Sequence, residues 1–432
     1  MDISLNICYN CGIHYNNLNE KNYNDDENND NDNLSNILTD EDKEDLFETI
    51  LILIDEYFFY KICEPNYETV IFEHIIDIID ELIEPKFLED EEITDIIHDA
   101  INYYFEYMQL PRSYNRELYF NESDNKEKTE QQLEYLIQID QSDQKSDEWY
   151  KKRHNLVTAS SAWKTLDKQN YINQYIYDKC KPLDLEKYNR VNINSPFHWG
   201  NKYEPVSTSL YKYMYKTEIK EFGCIPHKYH KFIGASPDGI NVLKDNELYG
   251  RLLEIKNIVN REITGIPKKE YWIQMQLQME VCNLDYCDFL ECRFIEYDCE
   301  EDFNEDGTFN KTAYNHYKGI IVQFFNGRCP VYEYAPFQCS KEEFDQWNEE
   351  CLIKHENDTW IKNIYWRLDE FSCILVVRNK LWFENVVWKF KEVWDTIQDE
   401  KIHGYEHRKS IKKNKKPTEK ENVIFVINTD ML

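Results

Sequence analysis

The sequence predicts an α/β fold, a mixed central sheet flanked by helices, with an acidic helical domain ahead of it. Three observations carry this. Apolar residues recur at intervals of three and four between 43 and 108, the spacing of helices with one buried face. Between 198 and 325 the pattern runs helix, several short β-like segments, helix, then longer strands. No run of about 18 apolar residues interrupts the chain, so no membrane span is expected.

Taken in order, residues 1–42 read as an acidic disordered tail, because NYNDDENNDNDN offers almost nothing to bury. An acidic helical domain is expected over 43–140. Phe47, Ile50, Leu51, Ile54 and Phe58 form one stripe. Ile71, Ile75, Ile78, Ile79 and Leu82 form a second, and Ile97, Ala100, Ile101, Tyr104 and Phe105 a third. Pro65, Pro85 and Pro111 punctuate them. Within that domain and just beyond its end, residues 112–145 read as a polar linker, with one helix expected around Gln131–Ile137. The α/β core is expected over 141–340. It has a helix over 198–217, short strands near 221–227, 231–235, 239–243 and 251–258, a helix over 268–283, and strands near 286–297 and 318–325. After Pro330 the chain is expected to turn helical, giving a C-terminal helical segment over 341–405. Trp382, Phe383, Val386, Val387, Phe390, Val393 and Trp394 supply its apolar face. A basic tail, 406–432, closes the chain with Arg408, Lys409, Lys412, Lys413, Lys415 and Lys416.

With 432 residues, 41% hydrophobic and 15% aromatic, the chain can bury a large core. Its net charge of −32 argues at first against contact with nucleic acid. The distribution removes the conflict. Residues 1–144 hold 37 Asp/Glu against 8 Lys/Arg, whereas 145–231 hold 16 Lys/Arg against 9 Asp/Glu. The segment leading into the central motif is therefore basic, as contact with phosphate requires.

That motif reads FIGASPDGINVLKDNELYGRLLEIKNI. Asp238 stands between the turn-forming Pro237 and Gly239, and Glu254-Ile255-Lys256 follows with fifteen residues between. On a strand, Glu254 and Lys256 share a face while Ile255 points to the core. Two carboxylates, with the Ile255 carbonyl beside them, suit a hard cation such as Mg²⁺ or Mn²⁺. A neighbouring ammonium can orient a water or stabilise charge as a phosphodiester is attacked. The plainer reading is a surface hairpin whose Glu and Lys form an ordinary solvated ion pair.

Three further blocks accompany the motif. One is Gln144-Lys145-Ser146-Asp147-Glu148-Trp149-Tyr150-Lys151-Lys152-Arg153, running into Leu156-Val157-Thr158-Ala159-Ser160. The second is Gly200-Asn201-Lys202-Tyr203-Glu204, and the third Tyr271-Trp272-Ile273-Gln274-Met275-Gln276-Leu277-Gln278-Met279. Over roughly 141–300 the sequence resembles the phage lambda exonuclease / YqaJ-type viral recombinase family, within the PD-(D/E)XK (restriction-endonuclease-like) nuclease superfamily. The resemblance implies a Mg²⁺- or Mn²⁺-dependent deoxyribonuclease. Asp238, Glu254 and the Ile255 carbonyl would be metal ligands, with Glu204 a further acid near the metals. Lys256 would be the catalytic lysine, and Gln274 would belong to the same site. Arg153 and Ser160 would hold a terminal 5′-phosphate, a role that suits a planar guanidinium and a hydroxyl at a helix start. The implied partners are double-stranded DNA ends, a single-strand annealing protein or other recombination partner, and further copies of the chain in a trimer. The alternative is a DNA-end-binding scaffold that does not cut. Taken singly, Glu204 reads as a solvated helix acid, Gln274 and Gln276 as helix-surface amides, and Trp149 and Trp163 as core or edge residues.

Met1–Asn16 lacks a basic region followed by an apolar stretch, so an intracellular protein is expected, in the host cytoplasm or nucleus if viral. Cys8-x-x-Cys11 with His14 resembles half a zinc site, but no second pair follows. Some related nucleases hold an iron–sulfur cluster with four cysteines. Here Cys287 and Cys292 would face opposite sides of a strand, so buried thiols are the better expectation for Cys282, Cys287, Cys292 and Cys299. His227 and His230 read as strand or loop residues near the sheet edge. The acidic first third would bind a protein partner, mimic DNA, or simply solubilise the chain.

Overall fold

The computed structural model describes residues 38–82, 91–115, 126–185, 192–193 and 195–409. The Cys8/Cys11/His14 group, most of the acidic tail and Lys412–Lys416 lie outside these residues. The chain divides into two units, residues 1–45 and 46–432. In the first, helix α1 (Asp40–Leu53) begins with a reciprocal cap. Asp42 N donates to Thr39 Oγ1 at 3.2 Å, and Thr39 N donates to Asp42 Oδ2 at 3.0 Å.

In the second unit, α2 (Tyr67–Leu82) buries Ile71, Ile75 and Ile79, and α3 (Glu91–Tyr103) buries Ile93, Ile97, Ala100 and Ile101. These are the stripes expected. They do not form a body of their own, however, because everything from residue 46 onward is one unit. Polar ties explain why. Arg112, itself buried, donates to Ile62 O (3.0 Å) and Cys63 O (3.1 Å), and its own carbonyl accepts from Trp272 Nε1 at 2.8 Å. Next come β1 (Tyr114–Asn115) and α4 (Lys126–Gln138), whose Gln132 reaches Cys282 O at 2.7 Å.

The core continues through α5 (Asp147–His154), β2 (Val157–Thr158), α6 (Ala159–Ala162), α7 (Gln169–Cys180) and α8 (Pro196–Tyr215). Four short strands follow, β3 (Ile219–Lys220), β4 (Ile225–Pro226), β5 (Ile233–Ala235) and β6 (Gly239–Asn241). Then come β7 (Leu252–Asn257), α9 (Lys269–Cys282), β8 (Tyr286–Glu296) and α10 (Glu300–Glu305). The chain ends through β9 (Lys318–Phe325), β10 (Pro330–Tyr334), α11 (Lys341–Lys354), β11 (Thr359–Val377) and α12 (Lys380–His403). The main sheet has the order β10-β9-β11-β8-β7-β6-β3, with β1 also on β11. Its β7–β8 pair is parallel and the others are antiparallel, which makes it the mixed sheet expected. A small sheet, β2-β5-β4, lies apart.

Helices cover both faces. On one, Tyr203, Val206, Leu210 and Tyr211 of α8 pack on Leu253, Ile255, Leu290, Phe294, Ile321 and Trp366. Full burial of each such side chain stabilises by roughly 1.5–3 kcal/mol. On the other face, α9 is buried from Trp272 to Cys282, and Trp272 meets Trp382 of α12 edge-on at 5.0 Å. With helices on both faces and strands running through the middle, this is the PD-(D/E)XK arrangement.

One expectation fails. The segment 341–405 is not uniformly helical, because β11 occupies 19 of its residues and lies between β9 and β8 in the sheet. Ile364, Trp366 and Leu368 are buried at every second position, a strand period. A bulge between Leu368 and Glu370 breaks that alternation and hides it in the sequence. The core therefore extends well beyond residue 340, and β10 likewise follows Pro330 as a strand. Among the described residues no helix is long and apolar enough to cross a membrane.

Candidate active site

Strand β7 runs beside β6 with Gly239 opposite Leu253, so one step along the ladder brings Asp238 level with Glu254. A side chain at Gly239 would place its Cβ 2.2 Å from Ile219 Cγ2, so glycine is needed where the hairpin closes on β3. Asp238 Oδ2 accepts from Ile255 N at 2.7 Å. Gln144 holds the turn from outside, donating to Pro237 O at 3.2 Å and Phe222 O at 2.8 Å.

The alternation of β7 sorts its side chains as expected. Ile255 enters the core beside α8. Glu254, wholly buried, and Lys256 turn toward α9. Glu254 Oε1 pairs with the Lys256 ammonium, and Oε2 accepts from Gln278 Nε2 at 2.7 Å. Gln274 Oε1 lies 3.5 Å from Lys256 Nζ, and the Tyr271 ring lies 4.9 Å from it. The lysine is thus turned inward onto the carboxylate, and the solvated surface ion pair is set aside.

Glu204 comes from α8. Its carboxylate lies 3.6 Å from the Lys145 ammonium, and Lys145 sits in the left-handed backbone region at φ 67°, unusual for a lysine. The acids repel one another. Burial pushes the Asp238 carboxyl well above the usual carboxylate range, and Glu254 and Glu204 push it further. Burial also raises Glu204, against the pull of Lys145. Burial disfavours the Lys256 charge, but Glu254 and Asp238 outweigh it and hold the ammonium above its ordinary value.

Arg153 and Ser160 are brought together, with guanidinium to Oγ at 2.9 Å. The guanidinium stacks over Trp149 at 4.2 Å and reaches Ser236 Oγ at 3.3 Å. Trp149 is buried and donates to the same hydroxyl at 3.1 Å. Both groups line one cleft of about 750 Å³, with Lys145, Arg153, Lys164 and Lys179 on its walls and Asp238, Lys256 and Glu204 within.

Three contributors escaped the sequence reading. Gln278 lies one helical turn beyond Gln274 and makes the firmer contact, to Glu254, as the spacing i, i+4 allows. Ser236, beside the Pro-Asp pair, joins Trp149 to Arg153. Lys145, second in the first block, pairs with Glu204. Gln276 is not a surface amide either. It is buried and bridges Val377 O (2.9 Å) and Asn379 N (2.7 Å), fixing the turn into α12. Cys282, Cys287 and Cys292 are buried free thiols and Cys299 is exposed. Burial pushes Cys282 and Cys292 up to about 12, so neither offers a thiolate.

Among the described residues no three Asp, Glu, His or Cys side chains form a ready-made metal cage. Mg²⁺ does not need one, because it is typically held by one or two carboxylates and keeps several waters. The mutual repulsion of Asp238, Glu254 and Glu204 is what a dication would relieve, so the donor set fits such an ion. Asp238, Glu254 and the Ile255 carbonyl would hold it.

Two acids, half-buried Asp238 just ahead of β6 and buried Glu254 on β7, thus meet an inward lysine within the mixed sheet. Residues 148–285 match the model of the YqaJ-like viral recombinase domain. The chain is also 31% identical over 341 residues to uncharacterized protein R354 of Acanthamoeba polyphaga mimivirus, a match spanning 69% of this chain and 61% of that protein. Two solved structures resemble it distantly. The alkaline exonuclease LHK-Exo of Laribacter hongkongensis shares 18% identity over 60% of this chain and 95% of its own, with a TM-score of 0.36. A phage-related exonuclease of Haemophilus somnus 129PT shares 15% over 57% and 93%, with a TM-score of 0.31.

Proposed function

We propose that the chain is a Mg²⁺-dependent nuclease that hydrolyses DNA phosphodiester bonds, acting from 5′-phosphorylated ends of linear duplex in recombination or repair. One observation carries this reading. A single cleft is lined by Asp238 and Lys256, with Glu254 enclosed directly behind them, and also by an arginine–serine cradle, Arg153 with Ser160 and Ser236.

A bound divalent cation would polarise the phosphoryl oxygens and bring a water's pKa toward ~7. The chain's own residues do the rest. Lys256 is kept cationic by its carboxylate neighbours and is placed to donate to a water or to charge developing on the phosphoryl oxygens. Gln278 holds Glu254 from behind, and Gln274 limits the swing of the Lys256 amine. Arg153, flat against Trp149, offers its fork to a terminal phosphate. Lys145 and Lys164 on the cleft wall support the backbone phosphates.

The test compares linear 5′-phosphorylated, linear 5′-hydroxyl and closed circular DNA. The expected order is phosphorylated ends fastest, hydroxyl ends slower and the circle resistant. Degradation of the circle at the linear rate would remove the exonuclease reading and leave the nuclease reading. Arg153→Ala should reduce the preference for a 5′-phosphate on the order of tenfold, equivalent to loss of one charge-assisted contact. An unchanged preference in a folded variant would refute its role.

A further inference from the structure

We infer that Lys179 is a positioning residue that clamps the main chain from which both phosphate-binding side chains hang. The inference rests on the cradle proposed above for Arg153 and Ser160. Lys179 lies on α7, and its ammonium crosses to the end of α5. There it donates to Arg153 O at 2.7 Å, Leu156 O at 2.6 Å and His154 O at 3.3 Å. An ammonium has three donors, and all three are spent on carbonyls. Lys179 therefore lines the cleft without a hydrogen left for substrate.

The choice of carbonyls explains the function. The last carbonyls of a helix lie outside its regular ladder, negative dipole outward, and Arg153 O, which accepts from Leu156 N at 3.3 Å, has a second lone pair for the ammonium. In α5 that turn contains Arg153 itself, and the next residues lead through β2 to Ser160. The clamp thus ties down the backbone of Arg153 while Ser160 and Ser236 hold its guanidinium. With both ends fixed, the arginine loses little freedom when a phosphate arrives, and preorganisation of this kind strengthens binding. A lysine that merely filled a helix end would have no effect on which DNA end is preferred.

Charge adds a second signature. The groups facing the ammonium are Arg153 and His154 on α5, Lys164 after α6, Lys401 on α12 and Cys224 before β4. Burial, then Arg153 and Lys401, bring Lys179 down to about 7. Burial and Lys179 lower His154, so His154 stays neutral throughout the pH interval that concerns Lys179. A phosphate dianion on Arg153 offsets the repulsion and raises the proton affinity of Lys179. Binding of a 5′-phosphate therefore takes up a proton, and the preference weakens as pH rises from 7 to 9.

The experiment measures binding of the full chain to short duplexes with a 5′-phosphate or a 5′-hydroxyl, by fluorescence anisotropy in EDTA so that cleavage plays no part. Wild type should prefer the phosphate, and the preference should fall severalfold between pH 7 and 9. Lys179→Met should lower the preference at pH 7 about tenfold, as residues that orient a binding group typically do. Its affinity for the hydroxyl duplex should stay within about twofold. Lys179→Arg, charged at every pH used, should keep the preference and flatten its pH dependence. A melting curve accompanies each variant. Should the methionine variant fail to fold, the arginine variant decides. If its preference falls with pH as in wild type, the clamp is overturned. A folded methionine variant that keeps the full preference overturns it too. A wild type with no phosphate preference overturns both the clamp and the cradle beneath it.

Discussion

Changing Lys256 to methionine is expected to slow DNA cleavage on the order of 10²- to 10⁴-fold, the range in which a positioned proton donor or acceptor acts. The substitution keeps the stem that runs past Tyr271 and removes only the ammonium that Glu254 and Asp238 hold. Duplex binding should change little, so the loss should appear in kcat rather than KM. A second effect follows from burial. Glu254 is fully enclosed and would keep only the Gln278 hydrogen bond, so the variant should melt earlier than wild type when no divalent cation is present. Mg²⁺ should recover part of that stability, because an ion held by Glu254 would replace the missing charge. A methionine variant that cleaves within about threefold of wild type would remove Lys256 from the chemistry.

The largest effect on stability is expected at Asp288. This carboxylate is wholly buried at the start of β8, with Arg251 at 3.0 Å and the Tyr211 hydroxyl donating to it at 2.6 Å. Asn241 donates to Tyr211 Oη at 3.3 Å and accepts from Thr217 at 2.7 Å, so one network joins α8, β6, β8 and the residue that leads into β7. These elements carry or flank Asp238 and Glu254. Asp288→Ala would strand the Arg251 guanidinium in the core and should cost about 3–5 kcal/mol. Thermal melting reads it. The paired change Arg251→Met with Asp288→Leu should recover most of the loss, since it removes both charges and keeps the volume. A single-variant loss below about 1 kcal/mol would show that water reaches the pair and that it frames nothing.

The two predictions differ in how far the sequence exposes their residues. Asp238, Glu254 and Lys256 are legible because local chemistry sets them out: a turn made by proline and glycine, then a strand whose alternation puts acid and lysine on one face. Arg153 and Ser160 are legible only through the order of the four motif blocks, since an arginine near a serine has no period of its own. The Arg251–Asp288 pair is illegible, because its members are far apart in sequence and meet only when β8 lies parallel to β7. The same is true of Lys179, which reaches back 23 residues to Leu156. Gln278 was within reach, because helical spacing from Gln274 puts it on the same face. β11 was missed because its bulge and its charged residues, Lys362, Arg367, Asp369 and Glu370, interrupt the alternation that marks a strand. The acidic helices were legible as helices but not as part of the same unit. That depends on hydrogen bonds such as Arg112 to Ile62, which carry no sequence pattern.

The central claim is that the acid pair on β6–β7 and its lysine make a metal-dependent cutting site. It is tested most directly by incubating the purified chain with linear 5′-phosphorylated duplex in Mg²⁺, beside the same mixture in EDTA and beside Asp238→Ala in Mg²⁺. The account predicts progressive release of nucleotides by wild type in Mg²⁺ alone. Equal release in all three mixtures, or none in any while the protein binds the duplex ends, would contradict it.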